Sequence, residues 1–171
     1  MVPATVTDAA SPGGEVEAVF VLAIDDCRLA VPLSTVQTVT RAVAVTALPK
    51  APAVVDGVID LHGKLVPVLD VRSRFGLAPR ALSPTEHFLI ASAGKRTVAL
   101  RADRALEVMQ IPREQIERID GVVANTDYVA GVAKLADGLV LIHDLETFLS
   151  AAEAKALDGA IEAAAGTGAT A

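Results

Sequence analysis

Short apolar runs broken by turn residues, rather than helical stripes, organise most of this 171-residue chain. The stretch GVIDLHGKLVPVLDVRSRFG, residues 57–76, shows the pattern. Val58, Ile59 and Leu61 make one arm and Leu65 to Leu69 the other, which predicts a β-hairpin. His62-Gly63 supplies the turn, because His tolerates positive φ better than most residues and Gly tolerates it freely. Asp70 is placed to N-cap a helical turn that Gly76 ends. Pro67 has no N–H to donate, so its arm is read as an edge strand or a bulged one.

The hairpin has an echo, GVAKLADGLVLIHDLETFL at residues 131–149, which aligns without gaps at an offset of 74. Gly57 meets Gly131, Leu61 meets Leu135, Val66 meets Val140 and Asp70 meets Asp144. Asp137-Gly138 is read as the second turn, so Gly57, Gly63, Gly131 and Gly138 are all assigned structural roles. A weaker echo precedes each copy: VFVLAIDDCRLAV from Val19 resembles HFLIASAGKRTVAL from His87, pairing Phe20 with Phe88 and Arg28 with Arg96. Four apolar strands per half, in the same order twice, predict two small β-barrels built on one plan. Residues recurring in both copies, namely Val58, Leu65, Val66, Val132, Leu139 and Val140, are expected to be buried.

The remaining segments complete the plan. Residues 1–17 read as a flexible arm, 18–150 as the body, and 151–171 as the end of a C-terminal helix and a frayed tail. That helix starts after Asp144, carries Leu145, Phe148, Leu149, Ala152 and Ala156 on one stripe, and is weakened or ended at Gly159. LSTVQTV at 33–39 reads as a short helix, Ala42 to Leu48 as a strand, Arg104 to Ile111 as a strand, and Pro112 onward as a helical turn.

Composition narrows the function. Hydrophobic residues make up 52% of the chain and aromatics 3%, so the core must be aliphatic, and β-branched residues favour strands. Residues 1–18 carry −3 and 144–171 carry −4, leaving +1 for the body, with a single Tyr for stacking. This distribution argues against nucleic-acid binding. The longest apolar run, Ala18 to Ile24, is too short to span a membrane. With no basic-then-apolar leader and a lone Cys27, the expected location is cytoplasmic. His62, His87 and His143 match no zinc spacing, no nucleophile or phosphate-loop motif is present, and Asp25-Asp26 reads as a turn. No catalytic residue, metal or cofactor is assigned; a small hydrolase using His143 or Cys27 is a distant alternative. His62, at an exposed turn on a rigid scaffold, suits recognition.

At this point the residues resemble a known family. The match of Gly57, Val58, Leu61, Gly63, Val66, Pro67, Val68 and Asp70 is to the signature hairpin of CheW-type chemotaxis coupling proteins. Val36 and Val39 resemble the family's Val-x-Glu-Ile segment. The resemblance implies a mostly β fold of two interlocked five-stranded SH3-like barrels with short helices and a C-terminal helix. It also implies a non-catalytic adaptor that joins a chemoreceptor cytoplasmic tip to a CheA-type histidine kinase, peripheral to membrane receptor arrays and not inserted in the membrane. Two positions depart from the family pattern: its Glu is Thr38 here, and its Asn-Leu-Arg-Gly is Asp60-Leu61-His62-Gly63. The expected partner-facing set is Val36, Thr38, His62, Arg72 and Arg74. A CheW-like adaptor of a non-motility pathway is the alternative.

Overall fold

A computed structural model describes residues 6–7, 15–118 and 129–166. In chain order the strands are β1 (Val6–Thr7), β2 (Val16–Ile24), β3 (Cys27–Pro32), β4 (Val36–Arg41), β5 (Val55–Leu61) and β6 (Lys64–Asp70). Helix α1 (Val71–Arg74) follows, then β7 (His87–Ala93), β8 (Arg96–Ala102), β9 (Arg104–Pro112), β10 (Ile116–Arg118), β11 (Val129–Leu135), β12 (Gly138–His143) and α2 (Ala151–Gly166). Two sheets result, ordered β1-β9-β2-β3-β12-β11-β10 and β4-β7-β8-β6-β5.

Strands β2, β3 and β5 to β8 are largely apolar because each buries both faces over part of its length, with three or more consecutive buried residues. Along β6, Val66 and Val68 fill the second barrel while Leu69 faces the interface between barrels. Along β7, Phe88 and Ile90 point into the barrel and Leu89 and Ala91 into the interface. In the first barrel Val140 and Ile142 of β12 point inward and Leu141 packs at the interface. Period-two alternation therefore yields three apolar layers: one inside each barrel and one between them.

The duplication is present in the register. Hairpin β5–β6 pairs Val55 with Leu69, Val58 with Pro67 and Asp60 with Leu65, with an irregularity between Val55 and Gly57. Hairpin β11–β12 pairs Val129 with His143, Val132 with Leu141 and Lys134 with Leu139, with the same irregularity between Val129 and Gly131. Every pair is 74 residues on. The earlier hairpins also correspond, but Val21 pairs Ala30 where Ile90 pairs Ala99, an offset of 69 rather than the 68 that would match Phe20 to Phe88. Val19 is the counterpart of Phe88, each at 0% exposure inside its barrel. A one-residue slip exchanges the two faces of a strand, so matching by residue type misplaced this pair. The repeats interlock: β2–β3 of the first join β9, β11 and β12 of the second, and β4–β6 of the first join β7–β8 of the second.

Several expectations change. Leu65 and Leu139 are 46% and 60% exposed, and Val132 is only half-buried. Each leucine is the second residue of its strand, beside the turn and on the face opposite Val66 and Val140, beyond the reach of the interface. Pro67 lies on an internal strand; β8 pairs β6 only from Val68, so the proline falls where no β8 partner stands. The second turn is Ala136–Asp137, and Gly138 opens β12. Of Ala42 to Leu48, only Thr46 pairs, bridging Val58. Residues 33–39 split into a 3-10 turn at Leu33–Thr35 and strand β4. The body also reaches beyond 18–150: Val6–Thr7 pairs with Val108–Met109, β2 starts at Val16, and α2 passes through Gly159 with Leu157 and Ala160 in the core.

Two glycines are required by close approach. A Cβ on Gly57 would lie 2.1 Å from the Thr46 carbonyl oxygen, and one on Gly131 would lie 2.9 Å from that of Glu117. Gly57 also has φ +154°, whereas Gly131 carries no positive φ. Gly57→Ala is therefore expected to destabilise by at least about 3 kcal/mol and Gly131→Ala by about 1–2 kcal/mol, as read by urea unfolding. Equal losses would contradict the difference in clearance.

Candidate partner-binding site

Strands β4, β6 and β8 run parallel, so their starts share one end of the second barrel. Val36 and Thr38 lie at the start of β4, and the His62–Gly63 turn precedes β6. The fold thus brings three of the five expected residues to one end. Val36 is half-buried against the interface core, while Thr38 and His62 are exposed. The register irregularity between Val36 and Thr38 accommodates Gln37, whose amide donates to Ser92 Oγ at 2.9 Å and Thr97 Oγ1 at 3.3 Å. His62 adopts φ 53°, and the turn is fastened by the Gly63 N–H donating to Asp60 Oδ1 at 2.7 Å. The tip is a rigid platform, not a loose loop.

Arg72 and Arg74 sit elsewhere. They follow the last residue of β6, at the opposite end of the barrel. Asp70 caps α1 by accepting from the Arg72 N–H at 3.0 Å, and Asp144 repeats the device with the Glu146 N–H at 3.0 Å. Arg72 is 4% exposed; its guanidinium donates to Asp25 at 2.6 Å and to Asp103 at 3.3 Å, and its Nε donates to the Ala78 carbonyl at 3.1 Å. The hydrogen bond and charge of Arg72 hold the Asp25 carboxyl below its usual range. Arg74 pairs with Glu153 of α2 and lies 5.4 Å from the centre of the Phe148 ring. Arg72 is thus withdrawn from the surface set, because its fork locks α1 to the β2–β3 turn.

What sequence reasoning missed at this end is its positive charge. Lys64, next to the His62–Gly63 turn, and Lys95, in the Gly94–Lys95 turn, are both exposed, and Arg96 is half-exposed beside Lys95. Basic residues flanking two turns were the available signal. The other candidates for chemistry are dispersed. Cys27 is exposed on β3, and His143 is 2% exposed between Phe75 and Phe148, with ring centres at 5.8 and 5.0 Å. Burial first, and the charge of Arg74 second, lower the His143 pKa to about 4. Among the described residues no group of three or more His, Cys, Asp or Glu is placed to hold a metal ion. No described helix is long and apolar enough to cross a membrane.

Comparison with known proteins agrees with this architecture. The CheW-like domain family model matches residues 18–153. The chemotaxis protein CheW of Klebsiella aerogenes is 27% identical over 116 residues, covering 67% of this chain and 70% of that protein. The chemotaxis protein CheW of Helicobacter pylori is 25% identical over 127 residues, covering 74% and 77%. The crystal structure of scaffolding protein TtCheW from Thermoanaerobacter tengcongensis superposes with a TM-score of 0.74 at 26% identity, over 81% of this chain and 96% of that one. With two interlocked barrels, a duplicated signature hairpin and a family match spanning most of its length, this chain belongs to the CheW-like family of non-catalytic chemotaxis adaptors.

Proposed function

We propose that this adaptor couples a chemoreceptor cytoplasmic tip to a CheA-type histidine kinase, using the barrel end formed by Val36, Thr38 and His62. The observation that carries this reading is their convergence at one end, in the places that match the family's signature segments, with Thr38 and His62 exposed on fastened backbone. Exposed strand starts and a rigid turn can hold a partner without moving, so little entropy is lost on binding. The protein would sit at receptor arrays through these contacts.

The chemistry of this end differs from the family pattern. Thr38 is neutral, and His62 replaces a five-donor planar fork with an imidazole. This favours partners other than those of a standard chemotaxis system, including a receptor and kinase of a non-motility pathway. Both residues are exposed, so each charge contributes about 0.5–1 kcal/mol. The Thr38→Glu, His62→Arg double variant is expected to bind a receptor tip and a CheA kinase from a standard system about five- to thirtyfold more tightly than wild type. Calorimetric titration of wild type, both single variants and the double variant reads this directly. Identical affinities in all four would remove these positions from the interface.

A further inference from the structure

The two edges of β9 are covered unequally. Along one edge β2 pairs with it antiparallel, from Val16 on Pro112 to Ala23 on Arg104. Along the other stands β1, parallel, with Val6 on Val108 and Thr7 on Met109. Among the described residues no other strand reaches that outer edge, although β9 runs from Arg104 to Pro112. The ladder to β2 is regular from Glu107 to Pro112, so the edge beneath β1 is a fixed template. A strand edge offers N–H and C=O groups to any extended chain that can lie along it. Parallel pairing is slightly weaker per residue than antiparallel, and β1 is only two residues long.

The chain's own arm shows what this edge accepts. β1 ends the sequence Ala-Thr-Val-Thr, whose β-branched residues suit an extended conformation. It lies outside the family-matched residues 18–153, as an addition to the common fold. Between β1 and β2 the chain is fastened again at Glu15. The Glu15 carbonyl accepts from the Arg113 N–H at 3.0 Å, and its carboxylate pairs with Arg113 Nη1 at 2.9 Å. β1 can therefore leave the edge while β2 keeps its place. Residues 8–14 tether β1 to that fastening, and so short a tether gives an effective concentration on the order of millimolar.

We propose that the outer edge of β9 is a strand-acceptor site for an extended, β-branched segment of a protein partner, kept closed by the chain's own N-terminal arm. The partner segment lies parallel to β9 in place of β1. Main-chain hydrogen bonds supply the affinity, and a segment pairing over more than two residues outcompetes the tethered arm. The site uses none of Val36, Thr38 and His62, so it stands or falls apart from the coupling role.

The test compares the full chain with a full-length variant carrying Val6→Pro and Thr7→Pro, since proline has no N–H to give the ladder. The probe is a synthetic peptide of residues 1–12, and a control peptide carries the same two prolines. Amide hydrogen exchange across residues 107–110 should be faster in the variant than in wild type. In an amide-resolved NMR titration the probe should shift Val108, Met109 and Gln110 of the variant, binding at least about fivefold more tightly than to wild type. The control peptide should shift none of them. Exchange that is the same in both proteins would show that β1 does not cover the edge, and overturns the proposal. Equal affinity for the two proteins, or an absence of shifts in β9, overturns it as well. Self-association of the variant through β9 without peptide would assign the edge to a second copy and equally overturn it.

Discussion

Replacing Arg101 with methionine is expected to lower the unfolding free energy by about 3–5 kcal/mol, among the largest effects of any single substitution in this protein. Arg101 is 5% exposed in β8. Its Nε donates to Glu86 Oε1 at 2.7 Å, Nη1 to Asp56 at 3.0 Å, and Nη2 to the Arg80 carbonyl at 2.7 Å. Glu86 is itself 3% exposed and also accepts from the Ser83 N–H. Methionine preserves the stem's apolar packing but strands the Glu86 carboxylate without its cation. The cost is that of an uncompensated buried charge, not the net worth of the pair. Urea unfolding with an unchanged m value reads it. Replacing both, with Glu86→Leu and Arg101→Met, should recover much of the loss. A single-variant loss below about 1 kcal/mol would show that water reaches Glu86.

Acid should destabilise the protein through His143. Its pKa falls from the ordinary 6.5 to about 4 in the folded state, first because burial disfavours the charged ring and then because of Arg74. Above pH 6.5 the ring is neutral whether folded or unfolded, and the stability is fully present. Between pH 6.5 and 4 the unfolded chain takes up a proton that the folded one refuses, so stability falls. Below about 4 both states are protonated and the loss is complete, at about 3 kcal/mol. Asp25 and Glu153, whose carboxyls lie below their ordinary ranges, add a further loss at lower pH in wild type and variant alike. Against a His143→Leu variant, wild type should therefore lose about 3 kcal/mol more between pH 6.5 and 4. Parallel pH profiles for the two proteins would contradict the buried, neutral histidine.

The second apolar hairpin, the capping aspartates and the two-barrel plan were legible because they depend on local chemistry repeated in order. Asp70 and Asp144 cap where their spacing placed them. Burial at strand ends was not legible. Leu65 and Val66 are adjacent leucine and valine in one run, but they point to opposite faces, and only the length of the neighbouring strands decides which one stays wet. The sequence alone places Arg72 on the surface, because Asp25 and Asp103, 47 and 31 positions away, are brought to it only by the interlocking of the repeats. The start of α2 carries a local signal of its own. Ser150 and Glu153 form a reciprocal capping box, with the Ser150 N–H donating to Glu153 Oε1 at 3.0 Å and the Glu153 N–H donating to Ser150 Oγ at 3.1 Å. The S-x-x-E pattern separates α2 from the 3-10 turn at Leu145–Thr147, where the apolar stripe alone suggested one continuous helix.

The adaptor role is tested most directly by sedimentation velocity of the full chain mixed with a receptor cytoplasmic tip and a CheA-type kinase from the same genome, each alone and both together. A coupling protein must hold both at once. The expected result is a ternary boundary, faster than either binary one, that is lost when this chain is left out. Two binary complexes that exclude each other, or none at all, would contradict the coupling role.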